Sequence, residues 1–255
     1  MRNIRRNAKK IFAVLFTGVI LAAAVAIAQE AVYSLNVVGF QKVTAKPTAF
    51  TLPGVPFQAA SHELNSLVGP QLTAAKNYLA ADRIYLWDSA SQKYKYYFLN
   101  SAIGNKWVSY TNTTVATTNA FIYSNDGFWI STVAASTQTV VLVGDVINVG
   151  AVTSSITAGF NLKSYPFSAP RSINEMNLNN GTAAKNYLAA DRIFLWDAAS
   201  QKYVYFFLNS TIGNKWASYT NTTVAASNVI NPNDGFWYQA VGPVTWTAMK
   251  PYTLD

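Results

Sequence analysis

Residues 73–116 recur as residues 182–225, shifted by 109 positions, with six substitutions in 44. A chain that carries one stretch twice builds the same local structure twice, so the fold has to be a unit used in duplicate. Weaker matches extend the repeat on both sides. Phe50-Thr51-Leu52 answers to Phe160-Asn161-Leu162, and Asn125-Asp126-Gly127-Phe128-Trp129 to Asn233-Asp234-Gly235-Phe236-Trp237. Each unit is about 110 residues, enough for a core of its own. Two units are too few to bury the ends of a solenoid, so the expectation is two tandem domains, 29–146 and 147–255, with the seam near Asp145 to Asn148.

The six exchanges act as a mutagenesis experiment. Tyr85 answers to Phe194 and Tyr97 to Phe206, so the ring is kept and the hydroxyl dropped, which marks packing rather than acid–base work. Lys95 answers to Val204, a change that suits a solvent-facing position. Ser89 to Ala198, Ala102 to Thr211 and Val108 to Ala217 are small changes that suit turns or surface sites.

Within the block, the run from Asp82 to Trp87 is rich in β-branched and aromatic residues, stops at Asp88-Ser89-Ala90-Ser91-Gln92, and resumes from Tyr94 to Leu99. That pattern predicts a hairpin. Further short strands are predicted around Trp107, Phe128 and Val140, punctuated by Gly, Asn and Ser. The fold class is therefore all-β: two antiparallel sandwich or barrel-like domains related by duplication. Only the stretches 61–68 and 73–81 have the composition for a turn or two of helix. The strands are too few and the loops too long for a membrane barrel.

Five of the 19 basic residues (Arg2, Arg5, Arg6, Lys9, Lys10) precede an uncharged, mostly apolar run over 11–28 that ends in Ala26-Ile27-Ala28. This is the layout of a secretory signal peptide, so 1–28 is expected to be removed and the mature chain to start at Gln29 with no membrane span. Its location is then periplasmic, cell-surface or extracellular. The formal charge of +8 falls to 14 basic against 11 acidic residues once the leader is gone. Those basic residues are scattered, which argues against a nucleic-acid partner. With no cysteine, disulfides, thiolate metal sites and a cysteine nucleophile are excluded.

No catalytic set, metal site or cofactor is expected. His62 is the one histidine, and the second repeat has no counterpart to its segment, so it reads as a loop residue rather than a triad member. The carboxylates common to both repeats are Asp82 with Asp191, Asp88 with Asp197, and Asp126 with Asp234. Asp88 and Asp126 occupy turn positions, where the side chain bonds nearby amides, and Asp82 beside Arg83 caps or pairs at a strand start. Six tryptophans recur as pairs: Trp87 with Trp196, Trp107 with Trp216, and Trp129 with Trp237. They either fill the cores, which is favoured because strand aromatics bury large areas, or form a glycan platform with one aromatic site per repeat.

The order Val37-Val38-Gly39-Phe40, Phe50-Thr51-Leu52, Ile84-Tyr85-Leu86-Trp87-Asp88, Trp107, Asn125-Asp126-Gly127-Phe128-Trp129 and Val141-Leu142-Val143-Gly144-Asp145-Val146 resembles a family of uncharacterised secreted bacterial proteins built from tandem all-β modules. The likeness covers nearly the whole mature chain. Asn125-Asp126-Gly127 stands where that family has Gly-Glu-Gly, and the second repeat lacks the closing Gly-Asp-Val. The resemblance implies architecture and export and carries no activity. Together these features point to a secreted, non-enzymatic structural or cell-surface protein. Its partners are itself, as a homo-oligomer or filament, or envelope or matrix material, with polysaccharide as the alternative.

Overall fold

The computed structural model describes residues 37–253; the expected leader, 1–28, and the expected start of the mature chain at Gln29 lie outside the described residues. The first repeat contributes β1 (Val38–Ala45), β2 (Phe50–Thr51), β3 (Phe57–Gln58), β4 (Arg83–Asp88), β5 (Lys93–Asn100), β6 (Lys106–Ser109), β7 (Trp129–Ser131) and β8 (Gln138–Val146). The second contributes β9 (Ala151–Ile156), β10 (Gly159–Ser164), β11 (Arg171–Ser172), β12 (Arg192–Asp197), β13 (Lys202–Asn209), β14 (Lys215–Ser218), β15 (Val229–Ile230), β16 (Gly235–Ala240) and β17 (Val244–Met249). The protein is all-β, with every strand pairing antiparallel.

Each half is built around a five-stranded sheet. Its order is β2-β7-β4-β5-β6 in the first and β10-β16-β12-β13-β14 in the second, so repeated segments occupy equivalent places. The β4–β5 hairpin forms because β-branched and aromatic residues alternate faces on either side of a turn closed by Asp88, whose carboxylate accepts from the amides of Ala90 and Ser91 at 3.1 and 3.4 Å. After β5 a single 3₁₀ turn, Ser101–Ile103, is capped by Asn100, and Gly104 (φ 75°) reverses the chain into β6. Among the described residues helix is confined to α1 (Leu64–Leu67), capped by Glu63, and to 3₁₀ turns such as Tyr78–Ala80. The stretch 73–81, for which two turns of helix were an option, is therefore mostly extended loop.

One face of each sheet is apolar and closes its own core. Ile84, Tyr97, Leu99, Trp107 and Ile130 pack with β1, β8 and α1 in the first half. Ile193, Phe206, Leu208, Trp216 and Tyr238 pack with β9 and β17 in the second. The first core ends in sequence at Leu142 and the second begins at Ile147. Val108 departs from the surface reading of its exchange: it and Ala217 are fully buried on the opposite sheet face, beneath the segments carrying Tyr78 and Tyr187. Lys95 and Val204 are exposed, as their exchange implies. Among the described residues no helix is long and apolar enough to cross a membrane.

Candidate functional site

The second face of each sheet carries the remaining aromatics, and alternation along the strands places them there. Cross-strand register aligns Trp129, Tyr85, Tyr96 and Tyr110 into a row over β7, β4, β5 and the end of β6, with Trp87 opposite Tyr94 beside it. The second half repeats this as Trp237, Phe194, Tyr205 and Tyr219, with Trp196 opposite Tyr203. A third apolar cluster, around Leu52, Trp129, Leu162 and Trp237, joins the inner ends of the two rows.

Contacts across this junction come in reciprocal pairs, the mark of a two-fold relation between equivalent surfaces. Trp87 meets Trp237 edge to face at 5.0 Å, and Trp129 meets Trp196 at 5.1 Å. The Trp87 Nε1–H donates to the Phe160 carbonyl at 2.7 Å, and the Trp196 Nε1–H to that of Phe50 at 3.1 Å. Gln92 and Gln201 each act as a surrogate strand. The Gln92 amide accepts from Phe160 N–H and donates to its carbonyl (2.8 and 2.9 Å), and Gln201 does the same to Phe50 (2.9 and 3.1 Å). Both glutamines hold left-handed backbone, φ 53°. One contact breaks the symmetry: Lys163 pairs with Asp126 at 3.3 Å, whereas Pro53 faces Asp234 at the equivalent place.

The six sequence-selected tryptophans thus divide into two groups. Trp107 and Trp216 are fully buried in the two cores, their Nε1–H groups donating to Gly69 and Leu178 carbonyls. Trp87, Trp129, Trp196 and Trp237 come together at the junction, the second and fourth of these buried and the other two half-buried. None of the six is exposed. Toward the outer ends of the same faces the rings that reach solvent are tyrosines, Tyr96 (42%) and Tyr110 (56%) in the first half and Tyr205 (42%) and Tyr219 (58%) in the second; at the junction end Phe50 and Phe160 are also exposed. Tyr96 and Tyr110 are named by the repeat but are indistinguishable in sequence from buried strand aromatics.

The shared carboxylates are engaged with backbone. Asp88 and Asp197 close hairpin turns, and Asp126 and Asp234 accept from the amides of Tyr123 and Asn231 at 3.2 and 3.0 Å. Asp82 and Asp191 are fully buried. Asp82 accepts from the amides of Thr73 and Val133 (2.8 and 2.6 Å) and from the Gln138 side chain; Asp191 accepts from those of Thr182 and Val241 (3.1 and 2.7 Å) and from the Tyr238 hydroxyl (2.5 Å). Their role as loop anchors is invisible locally, because each ties the loop nine residues upstream to an amide some 50 residues downstream. His62 touches the Gln58 amide at 2.9 Å and the Ile122 carbonyl at 3.1 Å, with no carboxylate or serine in either contact. Among the described residues no group of three or more His, Asp or Glu is placed to hold a metal ion.

Ionisation of the phenols limits the alkaline range of this fold. Burial pushes Tyr94 and Tyr165 up to about 12, and burial together with neighbouring Tyr85 does the same for Tyr78. Tyr238 is held well above the ordinary value of 10.0 by burial and by the Asp191 carboxylate. A phenol whose folded pKa exceeds its unfolded value contributes stability that is complete below the unfolded pKa and is lost as pH rises toward the folded one. Stability is therefore expected to fall steadily from about pH 10 to 12, with no pH dependence from these phenols below about pH 9, where their contribution is complete. Urea midpoints measured across pH 7–12, with tyrosinate absorbance followed in parallel, check this.

No protein-family model, curated protein or solved structure matches this chain.

Proposed function

We propose that this is a secreted, non-enzymatic structural or cell-surface protein that assembles with copies of itself through the β1–β8 ribbon. The observation that carries the reading is the contrast between two equivalent ribbons. On β9–β17 the outward residues are Thr153, Ser155, Thr245 and Thr247, polar and ordinary for a solvated strand pair, with Met249 opposite Ala151 as the one exposed large apolar side chain at its end. On β1–β8 they include Val38 (66% exposed), Phe40 (76%), Val143 (53%) and Val141, with Phe40 directly opposite Val143. Exposed apolar side chains gathered on one strand pair mark an interaction surface.

The ribbon also has an open edge. Among the described residues β1 is paired with β8 alone, so its other side offers a row of backbone donors and acceptors. Natural edge strands are usually protected by charge, proline or a bulge. On its outward face β1 has only Lys42 as a charge. Antiparallel pairing of β1 with β1 of a second copy would join the two sheets and continue the apolar face across the join. On the far edge of β8 the Gln71 side chain already bonds both backbone groups of Val141, at 2.7 and 3.0 Å, which leaves the β1 edge as the available one.

Export is supported by the basic residues ahead of the apolar run 11–28, and a non-enzymatic role by shared carboxylates committed to backbone amides. Light scattering on chain 29–255 across a concentration series, with electron microscopy, tests assembly. Dimers or regular polymers are expected, and Phe40→Lys combined with Val143→Lys is expected to return the protein to monomer. A wild-type chain that stays monomeric at millimolar concentration overturns the reading.

A further inference from the structure

The aromatic row on each sheet is longer than the junction that covers its inner end. Burial falls along it, from Trp129 (4% exposed) through half-buried Tyr85 to Tyr96 and Tyr110, and from Trp237 (7%) through Phe194 to Tyr205 and Tyr219. At the outer end a third tyrosine arrives from a different segment. The 3₁₀ turn Tyr78–Ala80 folds over the sheet and sets the Tyr78 ring 4.7 Å from that of Tyr110; Tyr187 stands 4.8 Å from Tyr219. Each turn also projects a leucine, Leu79 or Leu188, that is 72% exposed.

These rings are held in place from behind. Tyr78 packs edge-on against buried Phe98 at 5.7 Å, with the Arg83 guanidinium 5.4 Å from its centroid, and Tyr187 repeats both contacts with Phe207 and Arg192 at 5.8 and 5.1 Å. Each arginine sits on the ring that anchors the site. In the first half a groove of about 510 Å³ runs beside Tyr96 and Tyr110 and carries the amides of Asn112 and Asn119. In the second a groove of about 370 Å³ is lined by Asn186, Tyr187, Leu188, Tyr205 and Tyr219, with no charged group. Lys95, the one charge lining the first groove, is paired with Asp88 at 3.1 Å; its equivalent in the second half is Val204, outside the lining of the second groove.

We propose that the outer ends of the two rows, Tyr78–Tyr96–Tyr110 and Tyr187–Tyr205–Tyr219, are twin binding sites for a neutral polysaccharide. Preordered rings with exposed faces suit the apolar faces of sugar rings, and the bordering amides and phenol hydroxyls suit sugar hydroxyls. The arginine of each site is laid on its anchoring ring, and the lysine beside the first is paired with Asp88 and is a valine in the second half, so the exposed surface of both sites is made of rings and neutral polar groups, which suits a neutral ligand. Two equivalent sites on one protein favour a ligand that repeats along its length, since the second contact becomes intramolecular. This names a material that a surface protein would hold, and so rests on the reading of the chain as a secreted surface protein.

The test is depletion of purified chain 29–255 from solution by suspended cellulose, chitin and curdlan, with anionic alginate beads as the charge control. Binding to at least one neutral polymer and none to alginate is expected. Tyr110→Ala should weaken it by about tenfold and Tyr110→Ala with Tyr219→Ala by about a hundredfold or more, because avidity is lost with the second site. Phe at either position should retain most of the binding, and near-ultraviolet dichroism of every variant should match wild type. Depletion by none of the neutral polymers, or a double alanine variant that binds like wild type, overturns the proposal. The Phe40→Lys, Val143→Lys variant leaves all six tyrosines intact. Binding that survives in it when assembly is lost separates this inference from the assembly reading.

Discussion

Replacing Asp191 with asparagine is expected to destabilise the second half by about 3 kcal/mol, one of the two largest effects predicted for this protein. The carboxylate is fully buried and acts only as an acceptor: one oxygen takes the Val241 N–H, the other the Thr182 N–H and the Tyr238 hydroxyl. Asparagine offers one acceptor oxygen and one amino group that can only donate. If the amino group faces Val241, two donors meet there; if it is flipped, two donors meet at Thr182, and only the Tyr238 hydroxyl can turn to accept. Either orientation leaves a buried N–H unpaired, at a cost of about 1–3 kcal/mol, besides losing the charge-assisted bonds. No relief by movement is available, because the carboxylate lies against the backbone of Gly181, where an added Cβ would stand 1.9 Å from Oδ2. Asp82→Asn in the first half should cost a similar amount: Gln138 can turn its amide as Tyr238 can turn its hydroxyl, but the Thr73 or Val133 N–H is still left unpaired. Urea unfolding of both variants decides the matter, and a loss under about 0.5 kcal/mol for Asp191→Asn would sink the anchor argument.

Gly54→Ser is the second. Gly54 and Ser164 are equivalent positions that face each other at the two-fold point of the junction: Gly54 N–H donates to Asn233 and Ser164 N–H to Asn125, at 3.0 and 2.9 Å. A Cβ on Gly54 would lie 2.2 Å from the Cβ of Ser164 and 2.8 Å from its Oγ. Only one of the two equivalent sites can carry a side chain, and in this chain it is the second. The single variant is expected to cost about 2–3 kcal/mol through overpacking. It should also pry the junction tryptophans toward water, shifting their emission to longer wavelength. Gly54→Ser combined with Ser164→Gly moves the side chain across the axis without adding one, so most of that stability should return. The coupling between the two changes is the signature of the symmetric junction; additive losses would overturn it.

The β4–β5 hairpin was legible because β-branched and aromatic runs flank a polar turn, and Asp88 closes that turn with amides two and three residues on. The separation of Tyr85 and Trp87 from Ile84 and Leu86 was legible too, because a strand alternates faces regardless of its surroundings. Asp82 was not legible as a buried anchor: its amide partner Val133 is 51 residues away and carries no side-chain signature. Val108 misled for a related reason. Its exchange for Ala217 looks like a surface change until the overlying turn that buries both is in place.

Sequence alone determined the all-β class, the repeat, the turns and which side chains share a face. These depend on interactions within a few residues and on a strand's two-residue period, which hold wherever the segment finally sits. Only the tertiary structure decided what covers each face. Trp87 finds the Phe160 carbonyl 73 residues on and Trp196 finds that of Phe50 146 residues back, while Tyr96 and Tyr110, with the same local pattern, are left to solvent. Alternation says which way a ring points, whereas burial depends on what packs against that side, and here the second copy of the sheet is large enough to cover only the inner half of the row.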